Sequence, residues 1–122
     1  MTQVLYTRHV LAVLNLDEAT RYFVEVLCFN KDPVDVEGWS FLSFGEFLVM
    51  LGACPDDVSA AETKNHSFFA HVMVSDVEGL YVKYKENGAL FASHLADKPW
   101  GHKEFCVRTP DGHRIVFAEE LD

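Results

Sequence analysis

The sequence predicts an α+β fold built from two copies of one βαβββ module. Three observations carry that prediction. Strand-like stretches alternate apolar and polar residues with period two, most clearly where Phe105 and Val107 alternate with Glu104, Cys106 and Arg108, and where Ile115 and Phe117 alternate with Arg114, Val116 and Ala118. Two helix starts carry the same capping-box pattern, Asn15 with Glu18 and Ser75 with Glu78. The order of elements also repeats: Val13 aligns with Val74, Asn15 with Asp76 and Ala19 with Leu80, a register of 61 residues, half of the 122-residue chain.

The elements follow in order. Val4 to Leu14 is an apolar-rich run and reads as a strand. The helix Asp17 to Leu27 sets Ala19, Phe23, Val26 and Leu27 near one face, and Cys28 stands where a glycine C-cap is expected. Strands are expected at Asn30–Val36, Trp39–Phe44 and Phe47–Leu51, with turns at Gly38 and Gly45-Glu46. The first module therefore covers residues 1–52. Residues 53–65 are polar, include Pro55 and read as a linker. The second module, 66–122, opens with a strand at His66–Val74. A helix Val77–Asn87 follows, burying Leu80, Tyr81 and Tyr84 and ending at Gly88. A strand at Ala89–Ser93, a Pro99-Trp100-Gly101 corner and a final hairpin turned by Pro110-Asp111-Gly112 complete it. The chain is one domain by size.

Composition narrows the function. An apolar fraction of 49% is that of a folded globular chain. A net charge of −9 argues against non-specific binding to nucleic acid or anionic membranes. Cys28, Cys54 and Cys106 are odd in number and widely spaced, so neither a disulfide framework nor a zinc-thiolate site is expected. With no charged segment leading into an apolar one at the N-terminus and no run of membrane-spanning length, a soluble, cytoplasmic protein is expected. There is no GxSxG, GxGxxG or HExxH pattern. Cys106 faces the predicted cleft but carries no sign of a lowered thiol pKa.

The stretches HVLAVLNLDEATRYFVEVLCF, FFAHVMVSDVEGLYVKYKENGALF, PWGHKEF and TPDGHRIVF together resemble the vicinal-oxygen-chelate superfamily of glyoxalases, bleomycin-resistance proteins and extradiol dioxygenases, over essentially the whole chain. The PWG-x-x-EF stretch is most similar to the bleomycin-binding members. The resemblance implies the glyoxalase/bleomycin-resistance fold, with two βαβββ modules forming a mixed sheet curled around a cleft, and a homodimer that completes the cleft. In the enzymes of the superfamily a divalent metal is held there by ligands on the first and last strands of each module. Carried over, those positions are Arg8, Val49, Phe69 and Val116, none of them a metal ligand.

The expectation is therefore a metal-free, cofactor-free small-molecule binding protein that sequesters a cationic planar antibiotic such as bleomycin. The alternatives are a glyoxalase-like lyase, a dioxygenase or a non-catalytic interaction protein. Trp100 and Trp39 are assigned to stacking on the ligand, Arg8, His71, His102 and Glu104 to polar contacts, and Val49, Phe69 and Val116 to an apolar floor. His9, one residue from Arg8, is expected on the opposite face of its strand, against the helix.

Overall fold

The structure is a computed structural model that describes all 122 residues. Two four-stranded mixed sheets share one core. The first contains β1 (His9–Val13), β2 (Asn30–Lys31), β3 (Trp39–Phe44) and β4 (Phe47–Ala53), in the order β1-β4-β3-β2. The second contains β5 (Phe68–Met73), β6 (Leu90–Asp97), β7 (His102–Arg108) and β8 (Arg114–Glu120), in the order β5-β8-β7-β6. The orders are the same in both modules. In each, the opening strand pairs in parallel with the closing one and the other pairs are antiparallel. The two expected βαβββ modules are both present, each forming one mixed sheet, and the two sheets do not close on each other.

Helix α1 (Leu16–Arg21) continues through a π-helical segment at Tyr22–Val26, and α2 spans Val77–Glu86. Their first residues are 61 apart, so the register read from the sequence holds. Asn15 caps α1 as expected, its side-chain oxygen accepting the Glu18 N–H at 3.0 Å. The second cap is Asp76 and not Ser75. Asp76 adopts a left-handed φ of 57° and accepts the Gly79 N–H at 3.0 Å, while Glu119 on β8 accepts the Val77 N–H at 2.9 Å. A residue beyond Ser75 is needed because Val74 is still bonded to Ala118. Cys28 takes the left-handed φ of 66° that its glycine-like position requires.

Other boundaries moved for want of a partner. Residues 4–8 lie outside β1, because β4 pairs it only from His9, opposite Val49. The expected strand Asn30–Val36 is reduced to Asn30–Lys31, beyond which only Val36 bridges to Trp39. Part of the expected linker is structured: Ala60–Ser67 forms 3-10 turns kinked at Lys64.

One hydrophobic cluster draws on both modules. Leu11, Val13, Phe23, Leu27, Leu42, Val49 and Leu51 meet Val77, Tyr84, Phe105, Val107, Ile115 and Phe117. Phe105 stacks on Phe117 with centroids 5.6 Å apart, and Phe117 meets Phe44 and Phe47 of the other module, each at 6.4 Å. Each sheet therefore spends one face on this core and leaves the other outward.

The turn between β7 and β8 ties the modules. The Asp111 carboxylate accepts the Leu14 N–H at 2.8 Å, and the Asp111 carbonyl accepts the Ala61 N–H at 2.9 Å. Gly112 sits at φ 95°, and a Cβ there would fall 2.6 Å from the Ala61 Cβ and 2.7 Å from its backbone. His113 is buried beside this turn, its N–H donating to the Thr109 hydroxyl at 3.1 Å.

Two predictions follow from the turn. Gly112→Ala combines an unfavourable φ with a backbone clash, and is expected to destabilise the chain by about 2–4 kcal/mol, read as a lower urea midpoint. Burial pushes the His113 imidazole below its ordinary value of 6.5, partly offset by the Asp111 carboxylate. The unfolded chain thus takes up this proton first on acidification. The stability His113 contributes is complete above pH 6.5 and is lost as pH falls through the lower folded value. Stability measured by urea unfolding across this range should fall less steeply in His113→Gln than in wild type.

Candidate functional site

The outward face of the second sheet carries the polar cluster. Alternation along β7 and β8 sends Phe105, Val107, Ile115 and Phe117 to the core. It turns Glu104, Cys106 and Val116 to the other side. His71 joins them from β5, aligned with Val116, which in turn aligns with Cys106. Glu104 aligns with Ala118, whose small side chain leaves room for the longer ones to meet across β8.

Glu104 is the centre of the group and is only 8% exposed. Its Oε2 lies 3.2 Å from His71 Nε2 and 3.7 Å from His102 Nδ1, and accepts the Trp100 indole N–H at 3.4 Å. The His71 and His102 rings lie 5.4 Å apart, tilted by 38°. No lysine or arginine pairs with Glu104; its neighbours are two imidazoles and an indole. Trp100 stands at the corner between β6 and β7, 59% exposed, with the Lys98 ammonium 6.0 Å from its ring centre.

Arg8 and Trp39 lie elsewhere. They belong to the first module, where the Arg8 guanidinium sits over the rings of Tyr6 and Phe41 at 5.4 and 5.3 Å. Trp39 packs its ring over Gly52, where a Cβ would approach it to 3.0 Å. No hydrogen bond, ion pair or ring contact joins these two residues to the cluster around Glu104.

Two residues of the expected apolar floor are not on it. Val49 is fully buried in the core. The parallel pairing shows why: His9 aligns with Val49 and Ala70 with Ile115, so Val49 corresponds to the core residue Ile115 and Met50 to Val116. The position carried over from the resemblance is off by one, and one residue inverts the face. Phe69 sits at a register shift between Phe68 and Ala70, and its ring turns to His9, Phe47 and His113 at 5.7, 6.3 and 5.9 Å. Val116 keeps its outward place. His9 does face the core side with Leu11 and Val13, but it is half-buried and packs on Phe47 and Phe69 rather than on the helix.

A cavity of about 460 Å³ runs along β5, lined by Phe44, Phe47, Met73, Val72, His9 and His71 among others. The sequence reading missed it, because it forms between modules and no local pattern marks it. Of the expected site residues only His71 lines it. The cavity offers apolar volume, whereas the convergent polar atoms surround Glu104; His71 borders both.

The family's metal positions do not fit a metal. Met50, which the register sets in Val49's place, offers only a thioether, Phe69 and Val116 offer no donor, and Arg8 is a cation whose Nη1 is buried without a partner. Cys106 is no better as a nucleophile: burial pushes its thiol up to about 11, against the opposing pull of Arg114 and Arg108. No helix is long and apolar enough to cross a membrane.

Comparison with known proteins agrees with this architecture. No curated protein sequence matches the chain significantly. Among solved structures, TioX from Micromonospora sp. ML1 is 26% identical, with a TM-score of 0.74 over 95% of this chain and 98% of that one. A glyoxalase/bleomycin resistance protein/dioxygenase from Alicyclobacillus acidocaldarius is 18% identical, with a TM-score of 0.82 over 96% and 92%. The bleomycin-binding protein from bleomycin-producing Streptomyces verticillus, complexed with copper(II)-bleomycin, is 19% identical, with a TM-score of 0.72 over 100% and 99%. The family model for the glyoxalase/bleomycin resistance protein/dioxygenase superfamily matches residues 5–117, and the chain belongs to that superfamily.

Proposed function

We propose that the chain is a small-molecule binding protein that works without the superfamily's metal and holds a planar, cationic ligand against the outward face of the second sheet. One observation carries this reading: a nearly buried carboxylate, Glu104, lies at the N–H edge of the exposed Trp100 ring with no lysine or arginine paired to it. A cationic ligand stacked on Trp100 gains the ring's face and Glu104's charge together. The binding of copper(II)-bleomycin by a protein of the same fold supports a drug-like ligand. The missing donors at the family's metal positions weigh against a lyase or dioxygenase.

Arg8 and Trp39 enter the same site only across a homodimer. Both sheets turn one face to the common core, so within one chain the face bearing Arg8 and Trp39 and the face bearing Glu104 are separate surfaces. A second copy brings the first-module face of one chain to the second-module face of the other. The acidic chain, at net −9, suits a cationic ligand and disfavours nucleic acid.

Titration of chelator-stripped protein with a bleomycin-type drug, followed by calorimetry, should show saturable binding. Trp100→Ala should remain folded and bind about tenfold more weakly, the loss of one stacked ring. Equal binding by wild type and Trp100→Ala would remove this reading. Thiol labelling tests the absence of a nucleophile. At pH 7.5 a maleimide should modify the exposed Cys28 readily and reach Cys106 only in denaturant; labelling of native Cys106 at the rate of a free thiol would restore a catalytic role.

A further inference from the structure

Three metal-ligating side chains meet at one point of the second sheet. His71 Nε2, His102 Nδ1 and a Glu104 carboxylate oxygen all lie within 4.8 Å of one another. Donors bound at about 2.0–2.1 Å around a tetrahedral ion stand about 3.3–3.4 Å apart, the edge of the tetrahedron. The two separations to Glu104, 3.2 and 3.7 Å, bracket that edge. His102 Nδ1 is moreover buried without a hydrogen-bond partner, since 3.7 Å to the carboxylate is too long for one. A buried lone nitrogen facing a buried carboxylate is costly unless something between them satisfies both.

We infer that His71, His102 and Glu104 form a binding site for one divalent first-row transition-metal ion. Two imidazoles and a single carboxylate suit zinc, cobalt, nickel or copper; magnesium and calcium call for a shell of oxygens. The site is not the superfamily's own. It lies within one module, on β5 and β7, and uses none of Arg8, Val49, Phe69 or Val116. Trp100 is a positioning residue, its indole N–H holding the Glu104 oxygen from outside the ligand set. The His71 side chain, 45% exposed, supplies the entry path and the freedom to close the remaining distance. Three protein ligands leave the other coordination positions facing the open side of the sheet, for water or for a chelating molecule. The ion and the cationic ligand of the proposed function both draw on the Glu104 carboxylate, so they compete for it, and neither requires the other.

Calorimetric titration of the chelator-stripped chain with Zn²⁺ tests it. Wild type should bind one ion per chain. The His71→Gln/His102→Gln double variant, checked for its fold by circular dichroism, should bind about 100-fold more weakly or worse. Should the double variant fold poorly, His71→Gln alone alters an exposed side chain and should show a clear loss. Ni²⁺ should quench Trp100 fluorescence in wild type and not in the variant. Absence of saturable Zn²⁺ binding in wild type, or binding that survives loss of the histidines, would overturn the site. The drug titration uses metal-free protein, so either idea can fail while the other holds.

Discussion

Inside the core, the Tyr84 hydroxyl of the second module donates to the Leu27 carbonyl of the first at 2.8 Å. Burial raises the Tyr84 pKa far above its ordinary 10, so the phenol stays protonated and remains a donor. The bond expresses a constraint on the whole molecule. A 61-residue module has too little surface to hide a helix and half a sheet on its own. The two modules therefore close one core between them, and buried polar groups of one find partners in the other. The Tyr22 hydroxyl donates to the Arg108 carbonyl at 2.7 Å and accepts the Leu90 N–H at 2.9 Å. The Asn87 amide donates to the Val26 carbonyl at 3.0 Å. With both inner faces committed, chemistry is left to the outer ones.

Much of the fold was legible in the sequence because its signals are local. Asn15 with Glu18 marked one helix start, Gly88 marked the end of the second helix, and the strict alternation of β7 and β8 marked the strand faces. What was not legible depended on partners. Nothing in residues 4–8 says that pairing with β4 starts only at His9. Asp76 displaced Ser75 as a cap because Val74 still bonds to β8, and the 3-10 turns of Ala60–Ser67 exist to meet a turn some 50 residues away.

The site divides along the same line. Glu104, Val116 and His71 were placed on one face by alternation, and the structure sets them there. Phe69 and Val49 escaped that logic, one through a shift in pairing and the other because the carried-over position lies one residue from the outward-facing Met50. The closeness of His102 to Glu104 needed no long-range knowledge, being two residues along one strand. That both lie against His71 required the parallel pairing of β5 with β8, which no short motif encodes.

The packing of Ala61 on Gly112 has a consequence for how this chain can be divided. A duplicated protein invites excision of one half, or rejoining of the ends with new termini between the halves. Here the natural seam is misleading. Ala61 covers Gly112 and donates to Asp111, and the Lys64 carbonyl receives the Arg114 guanidinium at 3.0 Å. Residues 60–67 therefore belong to the second half as its lid. New termini are best placed before them, in the exposed segment from Asp56 to Val58, where the backbone has fewer obligations to either half.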